Sequence, residues 1–293
     1  MNFAAELAAA TAAASAAAEL VMAVYAQDFA VQWKGYKDPV TAADERANAL
    51  IIGRLHAEFP ADAICSEESA AEESARAASH GGRCWFVDPL DGTREFIRNS
   101  GEFCVMIGLA VAGRPVLGVV VAPAWGRTFV GVVGAGAQEI SAAGQSRPLV
   151  VSAPQDPADA RVVLSRLHRN QEVDAATGRL GIRNVQQCGS TGLKFMLVAA
   201  GQADLFLHTG PGPKLWDGCA PEAVALAAGA QVSDARGQPL RYDTAHLPLT
   251  GGIVVAAAPL HALARQALAS AAPVRVGRFR AADDVAPCPE KKG

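Results

Sequence analysis

The chain has 293 residues, 51% of them hydrophobic and 19% charged, which supports a sizeable buried core in one large domain or two closely associated subdomains. A net charge of −3 gives no electrostatic basis for binding nucleic acid. Six cysteines form no CxxC pair and no zinc-ligand spacing, so they read as reduced structural thiols in a reducing compartment.

The alanine-rich residues 6–27 read as a long helix. They lack a positive n-region and are interrupted by Glu6 and Glu19, which argues against a secretory signal. No uncharged stretch reaches the roughly 20 residues of a spanning helix, because 103–113 stops at Arg114 and 115–126 at Arg127. A cytoplasmic protein without a transmembrane segment is expected. Thr41 is placed to N-cap a helix that runs to about Glu58 and ends at Pro60. Residues 63–65 form a short strand candidate that leads into Ser66, Glu67 and Glu68, and the small, polar 72–82 reads as a loop.

The apolar run 84–87 is a buried strand. Residues 103–112, 115–122 and 127–133, joined by short Gly- or Pro-containing links, suggest an antiparallel meander. Residues 141–159 are rich in Ser, Pro, Gly and Asp and mark a boundary between halves. Beyond it strands and helices alternate: strands at 162–165, 203–207 and 253–256, helices at 191–200, at 218–228 and after 256. That alternation implies an α/β layer. The division expected is 1–150, an α+β subdomain with an antiparallel sheet and most metal ligands; 151–272, an α/β subdomain completing the site; and 273–293, a flexible tail.

The chemistry centres on Asp88, Pro89, Leu90, Asp91, Gly92 and Thr93. A buried strand delivers two carboxylates three positions apart onto a turn beside a hydroxyl. Pro89 stiffens that turn, and Gly92 lets a ligand approach the backbone. Two close carboxylates repel each other and invite a hard, oxygen-seeking cation such as Mg²⁺. Taken alone, the same residues also read as an Asp-Gly turn with one Asp capping a helix. Three further acids have equally plain readings: Asp44 as a helix-dipole complement, Glu67 as a solvated loop charge, and Asp217 as an N-cap.

Taken together, Asp38-x-Val-Thr-x-x-Asp44, Ser66-Glu67-Glu68, Trp85-x-x-Asp88-Pro-Leu-Asp-Gly-Thr93 and Trp216-Asp217 resemble the lithium-sensitive, magnesium-dependent superfamily of inositol monophosphatases, in its order and at its spacings. Thr93-Arg-Glu-Phe-Ile97 with Gly101-Glu-Phe103, Ser165-Arg-x-His168 and Gly189-Ser-x-x-Leu-Lys194 resemble its bacterial 3′(2′),5′-bisphosphate nucleotidases of the CysQ type. The resemblance implies a layered α-β-α-β-α sandwich and Mg-dependent hydrolysis of 3′-phosphoadenosine 5′-phosphate (PAP) to AMP and phosphate.

Carried onto this sequence, the resemblance makes Glu67, Asp88 and the Leu90 carbonyl ligands of one Mg²⁺, and Asp88, Asp91 and Asp217 ligands of a second, with two or three ions in all. It makes Thr93 the residue that orients the attacking water, with Asp44 or Glu67 accepting its proton. Leu90, Asp91, Gly92, Thr93, His168, Ser190, Lys194 and Asp217 then contact substrate, Ser190 and Lys194 at a second phosphate and His168 near the base. A small phosphate ester is the implied partner; a homodimer, and attachment at the inner face of the cell membrane, are compatible with it.

Two segments depart from the family pattern. Leu207-His208-Thr209 stands where an aromatic-Pro-Arg segment is usual, and Gly210-Pro-Gly-Pro-Lys-Leu-Trp216 where Gly-Pro-Thr-x-x-Trp is usual. Neither changes a metal ligand, so both bear on selectivity for a nucleotide, with His208 or Lys214 as candidate substitutes for the missing charge. The rival readings are the same chemistry on an inositol, sugar or histidinol phosphate, and a catalytically dead nucleotide- or metal-binding module. A dead module is expected to have lost at least one of Asp44, Glu67, Asp88, Asp91, Thr93 and Asp217, and all six are present.

Overall fold

The computed structural model describes residues 3–27, 29–35, 38–166, 170–210 and 212–270. The tail expected to be flexible, 273–293, lies outside them, as does His168. Five layers follow from how each element divides its apolar side chains.

Helix α1 (Ala4–Tyr25) buries Ala10, Ala13, Ala14, Ala17 and Val21, a stripe at i, i+3, i+4 spacing. The side chains are small, so α1 lies close against α2 (Ala42–Glu58) in one apolar cluster with Ala43, Ala47, Ile51 and Leu55. By length and composition α1 could cross a membrane, with 22 residues and a mean hydropathy of 1.7; in the fold its stripe faces α2 and the first sheet. Thr41 caps α2 as expected: its hydroxyl accepts from Ala43 N, and Asp44 three residues on accepts from Thr41 N. A small antiparallel pair, β1 (Val31–Gly35) and β2 (Asp38–Thr41), precedes α2 and was not foreseen.

The first sheet has seven strands in sequential order: β3 (Ala63–Ser66), β4 (Arg83–Asp91), β5 (Cys104–Val111), β6 (Arg114–Ala122), β7 (Arg127–Val132), β8 (Gly136–Ser141) and β9 (Ser146–Pro148). From β4 onward it is the expected antiparallel meander, while β3 joins β4 in parallel. Alternate side chains face opposite layers. Trp85, Val87, Val105, Ile107, Val119 and Val121 meet α1 and α2. Phe86, Met106, Val120 and Phe129 face the molecule's middle. β9 lies inside the segment read as a boundary.

Residues 71–78 form α3 (Ala71–Ala78) rather than the expected loop. Ala, Glu and Arg are strong helix formers, its first turn is acidic, and the Ser74 hydroxyl donates to Ser66 O at 2.7 Å.

The chain passes to the second sheet between Pro148 and Arg161. That sheet holds β10 (Arg161–Ser165), β11 (Asn184–Cys188), β12 (Leu205–His208), β13 (Gln231–Ser233) and β14 (Ile253–Ala256) in the order β11-β10-β12-β14-β13, with β14 antiparallel to its neighbours. Between the sheets lie α6 (Thr191–Ala199) and α7 (Leu215–Ala227), in one cluster with Phe86, Phe129, Val163, Phe206 and Val255. α5 (Gln171–Arg179) and α8 (Ala258–Ala269) cover the far face on Val162, Leu205 and Val254. The result is the expected α-β-α-β-α sandwich.

α7 lies unusually close to the first sheet. Gly108, Gly118 and Gly131 are register partners across β5, β6 and β7. A Cβ on Gly108 would sit 2.5 Å from Ala220 N, one on Gly118 would run into Ala220 O, and one on Gly131 would sit 2.8 Å from Val224 Cα. This glycine stripe is the bed on which α7 rests, and it sets where Asp217 arrives.

Candidate active site

In a regular strand residues three apart point to opposite faces. Asp88 pairs with Met106 and Asp91 with Cys104, so three steps on β4 oppose two on β5. The extra residue is a bulge that flips the parity of the strand. Asp88 and Asp91 therefore share the inner face with their partners Met106 and Cys104, while Leu90 packs on the outer cluster. Asp217, in the first turn of α7, completes a triad whose ligand oxygens lie within 4.8 Å of one another.

Each of the three carboxylates is held by an N–H. Asp88 Oδ1 accepts from Leu90 N at 3.0 Å, and Asp217 Oδ2 accepts from Lys214 N at 2.6 Å. Asp91 Oδ2 accepts from Ser190 Oγ at 2.5 Å and Gly192 N at 2.6 Å, with the Cys104 thiol at 3.7 Å. Asp88 Oδ2 is buried without a hydrogen-bond partner among the described residues. Burial, and then the neighbouring Glu67, Asp91 and Asp217 charges, push Asp88 well above the usual carboxylate range. Burial, and then Asp91, push Asp217 up to about 7. A partnerless buried oxygen among converging carboxylates fits a hard divalent cation, which neutralises the repulsion and accepts only oxygen donors here.

Asp217 corrects one expectation. α7 starts at Leu215, so Asp217 sits inside the first turn and accepts from the residue before the helix, instead of being the N-cap of a helix beginning at 218. Glu67 follows β3, and its amide donates to Val87 O at 3.2 Å. That bond places its carboxylate beside Asp88, where its charge acts.

On the other side of the turn, Gly92 has φ 97°, and a Cβ there would sit 2.7 Å from Glu102 O. Only glycine fits. Its left-handed conformation ends the strand and starts the short α4 (Thr93–Ile97). Thr93 Oγ1 lies 3.1 Å from Asp44 Oδ1 and 3.2 Å from Leu90 O, so one hydroxyl proton can serve either acceptor. Asp44 is buried, and its Oδ2 accepts from Thr41 N at 2.8 Å and Thr41 Oγ1 at 2.7 Å. Burial raises its pKa, against the lowering effect of those hydrogen bonds.

The second half contributes the 188–192 turn. Ser190 N-caps α6, its Oγ accepting from Leu193 N at 3.0 Å while donating to Asp91. It therefore joins the carboxylate triad from behind. The ammonium of Lys194, the residue expected at a second phosphate, is buried and donates to the carbonyls of Cys188, Gly189 and Ser190. Burial lowers its pKa, with Cys188 and Asp91 acting the other way. His208 is buried, with Nε2 3.2 Å from Gly210 O, and Lys214 Nζ sits 5.0 Å from the Trp216 ring centroid.

Sequence reasoning missed Thr41, Gly192 and the glycine stripe as parts of the site. Thr41 carried a signal, since a cap three residues before Asp44 is a capping-box spacing. Gly192 carried none: a Cβ there would sit 2.8 Å from the Cys104 sulfur, which only the fold reveals.

A model of the inositol monophosphatase family matches residues 4–273. The chain belongs to the inositol monophosphatase family. Within that family it is 40% identical over 228 residues to the 3′(2′),5′-bisphosphate nucleotidase CysQ of Escherichia coli (strain K12), which covers 77% of this chain and 89% of that protein. It is 39% identical over 220 residues to the 3′-phosphoadenosine 5′-phosphate phosphatase of Mycobacterium bovis, covering 71% of this chain and 75% of that one. A crystal structure of CysQ from Bacteroides thetaiotaomicron, described as a bacterial member of the inositol monophosphatase family, superposes with a TM-score of 0.73 at 29% identity, over 87% of this chain and 98% of that chain.

Proposed function

We propose that the chain is a magnesium-dependent 3′(2′),5′-bisphosphate nucleotidase that hydrolyses PAP to AMP and phosphate. The observation that carries this reading is the convergence of Asp88, Asp91 and Asp217 within 4.8 Å, in a chain whose relatives at 39–40% identity are named for that activity. On this reading residues 1–150 supply Glu67, Asp88, the Leu90 carbonyl and Asp91, residues 151–272 complete the set with Asp217, and together they hold two or three Mg²⁺. The bound metal supplies positive charge against the phosphoryl oxygens.

The chain's own residues orient the substrate and move the proton. The amides of Gly92 and Thr93 open α4 toward the phosphate oxygens. Thr93 Oγ1 accepts a proton from the attacking water while passing its own to Asp44, 3.1 Å away. Burial favours the protonated form of Asp44, so it is a better acceptor than an exposed aspartate. The new P–O bond forms as the bond to the ribose 3′ oxygen breaks. That oxygen takes a proton from solvent, and Asp44 returns its proton to solvent. His168 and Ser190 serve the nucleotide side of the site. The five buried, unpaired cysteines among the described residues favour the cytoplasm as its compartment.

A second reading, hydrolysis of an inositol or sugar phosphate, draws on His208 and Thr209 standing where the nucleotidase pattern has Pro and Arg. Phosphate release with Mg²⁺ from PAP, inositol 1-phosphate and fructose 1,6-bisphosphate, each with and without Li⁺, separates the two. The fastest release is expected from PAP, suppressed by Li⁺. A PAP rate no higher than the other two would overturn the nucleotidase assignment.

A further inference from the structure

Glu102 and Arg166 belong to two of the nucleotidase-like segments, and no step above uses either. Glu102 lies two residues before β5 in the first half, and Arg166 directly follows β10 in the second. The fold brings them together. Arg166 Nη2 donates to Glu102 Oε1 at 2.6 Å, while Gly189 N donates to Glu102 Oε2 at 2.8 Å. One carboxylate thus grips the second half twice, through a side chain and through the backbone. Hydrogen bonds to an ionised carboxylate are the stronger, geometry-setting kind.

Behind that carboxylate, the main chain of Glu102 faces the catalytic turn. A Cβ on Gly92 would sit 2.7 Å from Glu102 O, so the carbonyl lies directly against the residue before Thr93. Gly189 is pressed on the first half in the same way, since a Cβ there would overlap the Glu95 side chain of α4. Arg166 in turn ties two strand ends: its N donates to Cys188 O and its Nη2 to Gln187 O, both at 3.4 Å. β10 and β11 are parallel and both end at this edge, next to Ser190. Ligands of parallel strands bind beyond their carboxyl ends. Glu102 therefore spans the seam between the turn that carries Thr93 and the strand ends that border the substrate.

We propose that Glu102 is a positioning residue for the nucleotide, latching the ends of β10 and β11 through Arg166 and Gly189 against the catalytic turn at Gly92. This rests on the reading of the chain as a PAP nucleotidase. Such a latch sets the span between the reacting phosphate and the groups that hold the rest of the substrate. It leaves the metal ligands in place, because Asp91 keeps its own bonds to Ser190 Oγ and Gly192 N. It also adds little stability: the Arg166 side chain is 41% exposed, and half-exposed ion pairs contribute little. The rival role makes Arg166 a direct substrate ligand and Glu102 only its counter-ion. A direct ligand would still matter once Glu102 was gone; the second half of a broken latch would not.

Glu102→Ala, Arg166→Met and the double variant are therefore assayed on PAP at saturating Mg²⁺, with Mn²⁺ binding read by electron paramagnetic resonance and Tm by circular dichroism. Glu102→Ala is expected to raise KM for PAP about 10–100-fold, up to the cost of about 1 Å of misplacement, and to change kcat less than about threefold. Mn²⁺ binding stays as in the wild type, and Tm falls by no more than about 4 °C. Arg166→Met raises KM in the same direction, and the double variant is no worse than Glu102→Ala. A wild-type KM in Glu102→Ala overturns the proposal. So do multiplying losses in the double variant, which make Arg166 a ligand in its own right. A fall in kcat with weakened Mn²⁺ binding overturns it too, by placing the defect among the metal ligands. Should Glu102→Ala fail to fold, Glu102→Gln takes its place in the same comparison, because it keeps the shape and turns an N–H donor toward Arg166 or Gly189. A wild type inactive on PAP overturns the nucleotidase reading and this proposal with it, whereas an active wild type with unaltered variants overturns this proposal alone.

Discussion

The glycine stripe under α7 makes a quantitative prediction through Gly108→Ala. The added Cβ would lie 2.5 Å from Ala220 N, 2.8 Å from Ala220 Cα and 2.9 Å from Cys219 C. Carbon contacts are optimal at about 3.5–4.0 Å, so the helix has to retreat by about 1 Å. The atoms met are backbone, so no rotamer change relieves the clash. Ala220 lies three residues beyond Asp217 on the same helix, and the retreat passes directly to the carboxylate. Overpacking of this kind costs about 1–3 kcal/mol, and a 1 Å misplacement at a reacting centre can cost about 100-fold in rate. At about 2–4 °C per kcal/mol for a chain of this size, a fall in Tm of about 2–12 °C is expected, with a fall in kcat on PAP and a raised Mg²⁺ requirement. Thermal unfolding and phosphate release at varied Mg²⁺ read these out. Gly53→Ala is the control: it lies inside α2 with nothing within 4 Å of the new Cβ, and helix propensity favours it by about 1 kcal/mol. Wild-type Tm and Mg²⁺ dependence in Gly108→Ala would refute the idea that the stripe sets the position of Asp217.

Thr93→Val keeps the branched shape and removes the hydroxyl; kcat on PAP should fall about 10²–10⁴-fold, the usual share of proton transfer. Asp44→Asn should fall similarly, and the double variant hardly further, because the two act as one unit; additive losses in steady-state kinetics would refute that. Metal-free protein should lose stability as pH rises. The folded-state pKa of Asp217 is about 7, above its ordinary 3.8, so its protonated form stabilises fully below about pH 4 and that contribution is lost as pH climbs through 7. Mg²⁺ should reverse the loss and release protons on binding at pH 6–7, measurable in weakly buffered solution; a flat metal-free Tm between pH 5 and 8 would contradict this. Glu222 follows the same sign away from the metal site. Burial pushes it up to about 7 even though Tyr242 Oη donates to its Oε2 at 2.6 Å. Glu222→Gln should therefore raise Tm relative to wild type at pH 8 and give no such gain at pH 5.

Much of the architecture was legible because apolar periodicity determines layers. The meander, β10, β14 and the capped α2 all follow from local pattern and turn chemistry, and the layered sandwich was implied by the family resemblance. What escaped notice has a shared physical character. The β4 bulge that turns Asp88 and Asp91 to one face depends on register with β5, which no local pattern encodes. The roles of Gly108, Gly118 and Gly192 come from what packs against them. α3 was read as a loop because its small polar residues carry no apolar stripe. Lys194 was placed at a second phosphate by the family resemblance, and nothing local in the sequence signals its burial. In the fold three carbonyls make burial tolerable. The acidic site, Asp217 included, was visible as a set of motifs, and the hold of Ser190 and Gly192 on Asp91 became visible only with the tertiary structure.

Magnesium-dependent phosphate release from PAP by Asp91→Asn, beside the wild type, probes the carboxylate site most directly. Asparagine keeps an oxygen to accept from Ser190 and Gly192 while removing the charge that holds the cation. A loss of at least about 10³-fold in kcat/KM is predicted, the several kcal/mol that charge stabilisation by a metal supplies, with no recovery as Mg²⁺ is raised. Full activity with an unchanged Mg²⁺ curve would contradict the assignment of Asp88, Asp91 and Asp217 as the metal site.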